Sequence, residues 1–107
     1  MQAGLLDRRV SLSVVTSANT GTGYVETVAH LADVWASRKD VSDSEKAAAG
    51  SVEGVLRSRF MVRWSSVTSS LKPKDALTEG GLTFRIVGIK EVGRRDMIEI
   101  TAEARLD

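Results

Sequence analysis

Leu56-Arg57-Ser58-Arg59-Phe60-Met61-Val62-Arg63-Trp64 alternates with a period of two. Leu56, Phe60, Val62 and Trp64 fall on one side, with the small Ser58 among them. Arg57, Arg59, Met61 and Arg63 fall on the other. Successive side chains of a strand point to opposite faces, so the stretch reads as a half-buried strand. One face closes a core. The other carries three permanent positive charges. A second long strand, Asp96 to Leu106, has the opposite character. Ile98, Ile100, Ala102, Ala104 and Leu106 make its apolar face, and Glu99, Thr101 and Glu103 point away. A basic strand face and an acidic one suit contact with other molecules better than they suit chemistry.

Working outward, Met1 to Asp7 is a short arm carrying Leu5 and Leu6. Arg8 to Ser17 alternates again, with Val10, Leu12 and Val14 on one side and Arg9, Ser11 and Ser13 on the other. Ala18 to Tyr24 is a polar, glycine-containing loop or hairpin tip. Val25 to Val41 is mostly extended, most clearly at Ala32 to Lys39. Ser42-Asp43-Ser44-Glu45 fits the capping box that opens a helix, with the Ser42 hydroxyl and the Glu45 carboxylate each serving the other's amide. Asp43 and Glu45 suit the positive end of the helix dipole. Ala47 to Ala49 favour the helix, and Gly50 is placed to end it. Two turns of helix are too short to stand alone, so the segment must pack or order on binding.

Past Trp64, Ser65 to Ser70 is polar. Pro73, between Lys72 and Lys74, argues against a central strand there. Ala76 to Thr78 is a short strand that Glu79-Gly80-Gly81 turns back into Leu82 to Ile89. Gly93-Arg94 is the turn into the last strand. About six strands and one short helix in a small chain imply a mostly β fold, a small antiparallel barrel or sandwich-like sheet.

The chain has 107 residues, one domain of ordinary size spanning residues 1–107, with a modest core. Fifteen Lys and Arg stand against fourteen Asp and Glu. A dedicated duplex-DNA binder would carry a strong basic excess. There is no cysteine, hence no disulfide framework and no thiolate site. No charged-then-apolar leader opens the sequence, and no run approaches the roughly 20 apolar residues that span a bilayer.

No constellation for catalysis or metal binding stands out. His30, the single histidine, sits in Val-Ala-His-Leu-Ala and reads as a structural or surface residue. One His and no Cys give no ligand cluster at a familiar spacing. Gly21-Thr22-Gly23 lacks the Lys and the remaining glycines of a phosphate loop. The arginine stripe is either a solvated strand face or an interface. Its aromatic neighbours, Phe60 and Trp64, lie on the opposite face, which disfavours a base-stacking platform. It suits salt bridges to an acidic surface, such as the Glu99 and Glu103 face of another subunit.

Taken in order, these segments resemble the head–tail joining proteins, also called head-closure or stopper proteins, of long-tailed bacteriophages and gene transfer agents. The resemblance runs from Met-Gln-Ala-Gly-Leu-Leu-Asp-Arg-Arg-Val at residues 1–10, through Val34-Trp35-Ala36 and the Ala-rich segment ending at Gly50. It continues with the strand to Trp64, then Glu79-Gly80-Gly81-Leu82-Thr83-Phe84-Arg85-Ile86-Val87-Gly88-Ile89 and Gly93-Arg94-Arg95. The Ser-rich stretch at 65–74 and the alanines at 47–49 depart from the family pattern. The resemblance implies a small β-barrel with a short helix, without enzymatic activity, cofactor, metal, small-molecule substrate or membrane. It implies a homo-oligomeric ring at the head–tail interface of a virion assembled in the host bacterial cytoplasm. Its partners would be portal or adaptor proteins, a tail terminator or tail tube, and, transiently, packaged double-stranded DNA. On this reading Arg57, Arg59, Arg63, Glu99 and Glu103 are candidate subunit contacts. Ser42, Glu45, Lys46 and Gly50 mark a segment facing the adaptor, the tail or the channel, as does the loop at 18–24. The alternative is a small OB- or SH3-like barrel that binds single-stranded nucleic acid.

Overall fold

The alternating stretches become strands that close on themselves. In the computed structural model, which describes residues 6–41 and 54–105, the strands are β1 (Arg8–Asn19), β2 (Tyr24–Asp40), β3 (Val55–Arg63), β4 (Ala76–Glu79), β5 (Leu82–Val92) and β6 (Met97–Arg105). They form a closed barrel in the order β1-β2-β3-β6-β5-β4, every neighbour antiparallel. The expected barrel of about six strands is therefore present. Among the described residues the one helical piece is a 3-10 turn, Thr68–Ser70. The helix expected to open at Ser42 lies outside the described residues, as do Ser42, Glu45, Lys46 and Gly50 themselves.

Period-two alternation sorts the core. Val10 and Leu12 of β1, Ala36 of β2, Phe60 and Val62 of β3, Leu77 of β4, Phe84 and Ile86 of β5, and Ile98, Ile100, Ala102 and Ala104 of β6 all point inward and are buried. The Phe60 and Phe84 rings meet edge-on, their centroids 5.1 Å apart at 77°, the arrangement that aromatic quadrupoles favour. Leu56 and Trp64, at the two ends of the deciding stretch, are partly buried against the core.

Two connections set the strand ends. The β4–β5 hairpin turns at Gly80 and Gly81, at φ +59 and +82°, where a two-residue hairpin needs positive φ at both positions. In Lys72-Pro73-Lys74-Asp75, Pro73 precedes Lys74 at φ +84°, the backbone of a type II turn. The Asp75 carboxylate, almost fully buried, accepts the Lys72 amide at 2.9 Å and the Val15 amide of β1 at 3.2 Å. The sequence excluded a central strand at Pro73, and the residue indeed lies in this turn.

The β1–β2 hairpin outruns the barrel. β1 pairs with β4 only at Ser11–Ser13, and β2 pairs with β3 only at Ala36–Asp40. A bulge between Leu12 and Ser13 marks the point of departure. Beyond it a two-stranded arm runs out to Asn19 and Tyr24, and the molecule measures 48 × 34 × 25 Å. The loop read at residues 18–24 is shorter than expected, because Ala18, Asn19 and Tyr24 continue the ladder. Its tip is closed by the Thr20 amide, which donates to the Gly23 carbonyl at 2.8 Å.

Candidate functional site

The arginine stripe of β3 and the acidic stripe of β6 are adjacent, in register, on one outer face of the barrel. Arg57 stands opposite Glu103, Arg59 opposite Thr101, Met61 opposite Glu99 and Arg63 opposite Met97. On the other side of β6, Arg85 stands opposite Glu103 and Lys90 opposite Glu99. Each acid is thus flanked by cross-strand cations or lies diagonal to them, which stabilises the ladder. The Arg57 guanidinium donates to Glu103 through Nε at 2.8 Å and again through Nη2. Sequence reading expected two separate patches that would meet between subunits. The fold merges them into one mixed-charge face, with Arg57 and Glu103 engaged within one chain. Both are about three-quarters buried. Beside this face a depression of ≈ 190 Å³ is lined by Ser37, Lys39, Arg59, Phe60, Met61 and Glu99.

A second set of charged groups gathers at the end of the barrel where β2 stops and β3 begins, with Glu79 buried, Arg38 largely so, and Arg8 and Asp40 about half exposed. Arg8, Arg38, Asp40, Ser58 and Glu79 follow the inward parity of their strands. Glu79, 4% exposed, accepts from Arg8 Nη1 at 3.0 Å and from Arg38 Nη1 at 2.7 Å. Arg38 Nε donates to Asp40 at 3.0 Å, and Ser58 Oγ donates to the same Asp40 oxygen at 2.6 Å. The Arg38 guanidinium also lies 5.4 Å from the centroid of the Phe84 ring, a cation–π contact. The Ser58 hydrogen bond, seconded by Arg38, holds the Asp40 carboxyl below its ordinary value against the opposing effect of burial. Burial works against the charged Arg38, but its bonds to Asp40 and Glu79 outweigh this and the net shift is upward. Sequence reading missed this network. The signal was there: Arg38 and Asp40 share the parity of Ala36, and Glu79 that of Leu77. Ser58, noted only as a small residue on an apolar face, is fully buried and bonded.

The stems of the undescribed segment are tied to this end. Val41, 7% exposed, donates its amide to the Arg57 carbonyl at 2.9 Å. Gly54, at φ +80°, turns the chain into β3.

His30 is exposed and pairs with Asp33 at 3.0 Å on β2, a bond that lowers the Asp33 pKa. Among the described residues no cluster of His, Asp and Glu has the makings of a metal site, and no helix is long and apolar enough to cross a membrane. The two tryptophans are faced by arginines, Arg9 at 5.2 Å from Trp35 and Arg95 at 5.3 Å from Trp64.

A barrel whose outer face is a charge ladder, whose core is apolar and whose inner end is locked by ion pairs offers surfaces more than a cleft. The family model for phage head completion proteins matches residues 1–105. The chain belongs to the phage head completion protein family. Among solved structures, protein SF1141 from Shigella flexneri 2a superposes with a TM-score of 0.71 at 21% identity, over 97% of this chain and 96% of that one. A chain of the virion of a native gene transfer agent particle superposes with a TM-score of 0.67 at 24% identity, over 95% of this chain and 97% of that one. No curated protein sequence matches. At these identities the two structures show a shared fold, and the family membership rests on the match over residues 1–105.

Proposed function

We propose that this chain is a structural connector that completes a phage-like head. Copies of it form a ring between the portal–adaptor complex and the tail, and the ring controls passage of packaged DNA. The observation that carries the reading is the family match along nearly the whole chain. The fold shared with a chain of a gene transfer agent virion supports it. The protein works through surfaces and has no catalytic role.

Two parts of the geometry fit the task. The mixed-charge face of β3, β6 and β5 keeps Arg59, Arg63 and Glu99 in fixed places beside the Arg57–Glu103 pair, as contacts for a neighbouring subunit. The segment at 42–53, with Ser42, Glu45, Lys46 and Gly50, would meet the adaptor, the tail or the channel. Val41 and Gly54, which bound it, sit at the barrel end that the Arg38–Glu79–Asp40 network ties together.

The single-stranded nucleic-acid alternative finds less support. Phe60 is fully buried, Arg57 is engaged by Glu103, and Trp64 is half-buried beneath Arg95; the exposed aromatics, Trp35 beneath Arg9 and Tyr24 on the hairpin, lie far apart along β2 and make no joint platform. Stacking platforms need exposed aromatic faces among cations.

The test is complementation. Particles made without this chain should accumulate as DNA-packed heads and separate tails, joined when the purified chain is added. Tailed, infectious or transducing particles at the usual yield in its absence would refute the reading.

A further inference from the structure

The β1–β2 arm is built unlike the rest of the molecule. Charged residues make up 27% of the chain, yet from Ser13 to Ala29 the one charge is Glu26. Tyr24, Val25 and Val28 on the arm are 76, 52 and 63% exposed. An isolated two-stranded ribbon is marginal in water. An uncharged, uncovered strand edge is normally blunted by Lys, Pro or a bulge, because it templates pairing with another chain. The outer half of this arm has no Lys, Pro or bulge, and Glu26 is its one charge.

Hydrogen-bond alternation shows which backbone groups are open. Val15 sends its amide away from β2, to Asp75. In an antiparallel ladder every second residue points the same way. Ser17 and Asn19 therefore present their amides and carbonyls off the outer edge of β1. Val28, Glu26 and Tyr24, the register partners of Val15, Ser17 and Asn19, present theirs off the outer edge of β2. Asp75 seals the first position of the β1 edge and leaves the rest open. Beside that edge a cleft of ≈ 640 Å³ separates Val15, Glu26 and Val28 from a far wall of mixed charge that includes Leu82, Arg85 and Glu103. An extended strand has room to lie there.

We propose that the arm joins one copy of this chain to the next, the outer edge of β2 on one copy pairing antiparallel with the outer edge of β1 on its neighbour. The two edges belong to one hairpin and run in opposite directions. Successive hairpins laid side by side therefore make one continuous antiparallel sheet, with each copy offering the edge that the next one lacks. Such a contact is heterologous, the kind that generates rings. The arm's composition selects the occupant. DNA would require an excess of cations; the arm has none, and the cleft wall sets Asp75 and Glu103 among Lys74, Arg85 and Arg105. An acidic or basic peptide would find one carboxylate to answer. A second arm, equally poor in charge, matches it. The proposal rests on the ring reading above for its closure, and on the arm alone for the pairing.

The chain contains no native cysteine, so single cysteines report contacts between copies. A Ser17→Cys chain is mixed in turn with Tyr24→Cys, Glu26→Cys and Val28→Cys chains at millimolar concentration and oxidised gently. The expected result is that at least one mixture gives the mixed disulfide dimer as its main product. Val28→Pro, or Glu26→Pro where residue 28 carries the cysteine, removes an outward amide and no hairpin bond, and it should then be placed in that best pair. Circular dichroism should show the barrel intact while the mixed dimer is lost. Homodimers alone would mean two-fold pairing and overturn the proposal. So would cross-linking that survives the proline. Rings seen in particles without any mixed disulfide would overturn the arm contact and leave the connector reading standing. Mixed disulfides together with particles that contain no ring would do the reverse.

Discussion

Glu79→Ala tests whether the ion network inside the barrel supports the fold. The carboxylate is 4% exposed and takes bonds at 3.0 and 2.7 Å from two arginines. Removing one partner of a buried ion pair costs about 3–5 kcal/mol, mostly because the other charge is left buried without compensation. Arg38, with 16% of its side chain exposed, retains Asp40, which argues for the low end, about 3 kcal/mol. Arg8 is 52% exposed, so its half of the network adds only about 0–1 kcal/mol. With a urea m-value of about 1.5 kcal/mol/M, the unfolding midpoint should fall by about 2 M. Urea titration followed by tryptophan fluorescence measures this. The double variant Arg38→Met with Glu79→Leu should regain most of the loss, because well-packed apolar groups often replace a buried pair without penalty. A midpoint shift corresponding to less than about 1 kcal/mol, the range of surface substitutions, would refute the reasoning.

Phe60→Ala should cost about 3–5 kcal/mol by equilibrium unfolding, since it empties the centre of the core beside Phe84. Asp75→Ala should cost about 1–3 kcal/mol, because it strands the Val15 and Lys72 amides, and hydrogen exchange at Val15 should accelerate. The Asp40 carboxyl titrates lower in the folded state than in the unfolded chain. Its contribution is therefore fully present above the ordinary carboxylate value of about 3.9 and is lost as pH falls through its depressed folded value. Unfolding measured from pH 7 downward should show Asp40→Asn losing less stability in that acid window than the unaltered chain does. Arg57→Glu places like charges directly opposite each other on β3 and β6, so it should destabilise the barrel. The swap Arg57→Glu with Glu103→Arg should recover only part of the thermal stability, because the new arginine on β6 also stands opposite Arg85 of β5.

The barrel was legible because alternation is a local signal. Leu56–Trp64, Arg8–Ser17 and Asp96–Leu106 each announce a strand and its buried face, and Phe60, Val62, Phe84, Ile86, Ile98 and Ile100 meet in the core as their parity implies. Neighbour relations are non-local, and there the reading ran out. Nothing within β3 or β6 says that they lie side by side, so two stripes that the fold merges looked like two patches. The inner network was obscured for a related reason. Arg38 and Glu79 break the apolar pattern of their strands, and only the closed barrel brings them together, 41 residues apart in the chain. The arm's length was hidden because β1 and β2 keep alternating after the barrel ends. Strand pattern alone does not reveal where a ladder loses its outer neighbours.

The most direct measurement is a reconstruction of the assembled particle at a resolution that traces strands. The expected result is a ring of these barrels between the portal–adaptor complex and the tail, with residues 42–53 directed at the channel or at a neighbouring ring. Density for the chain in the capsid shell or along the tail tube, with none at the head–tail junction, would contradict it.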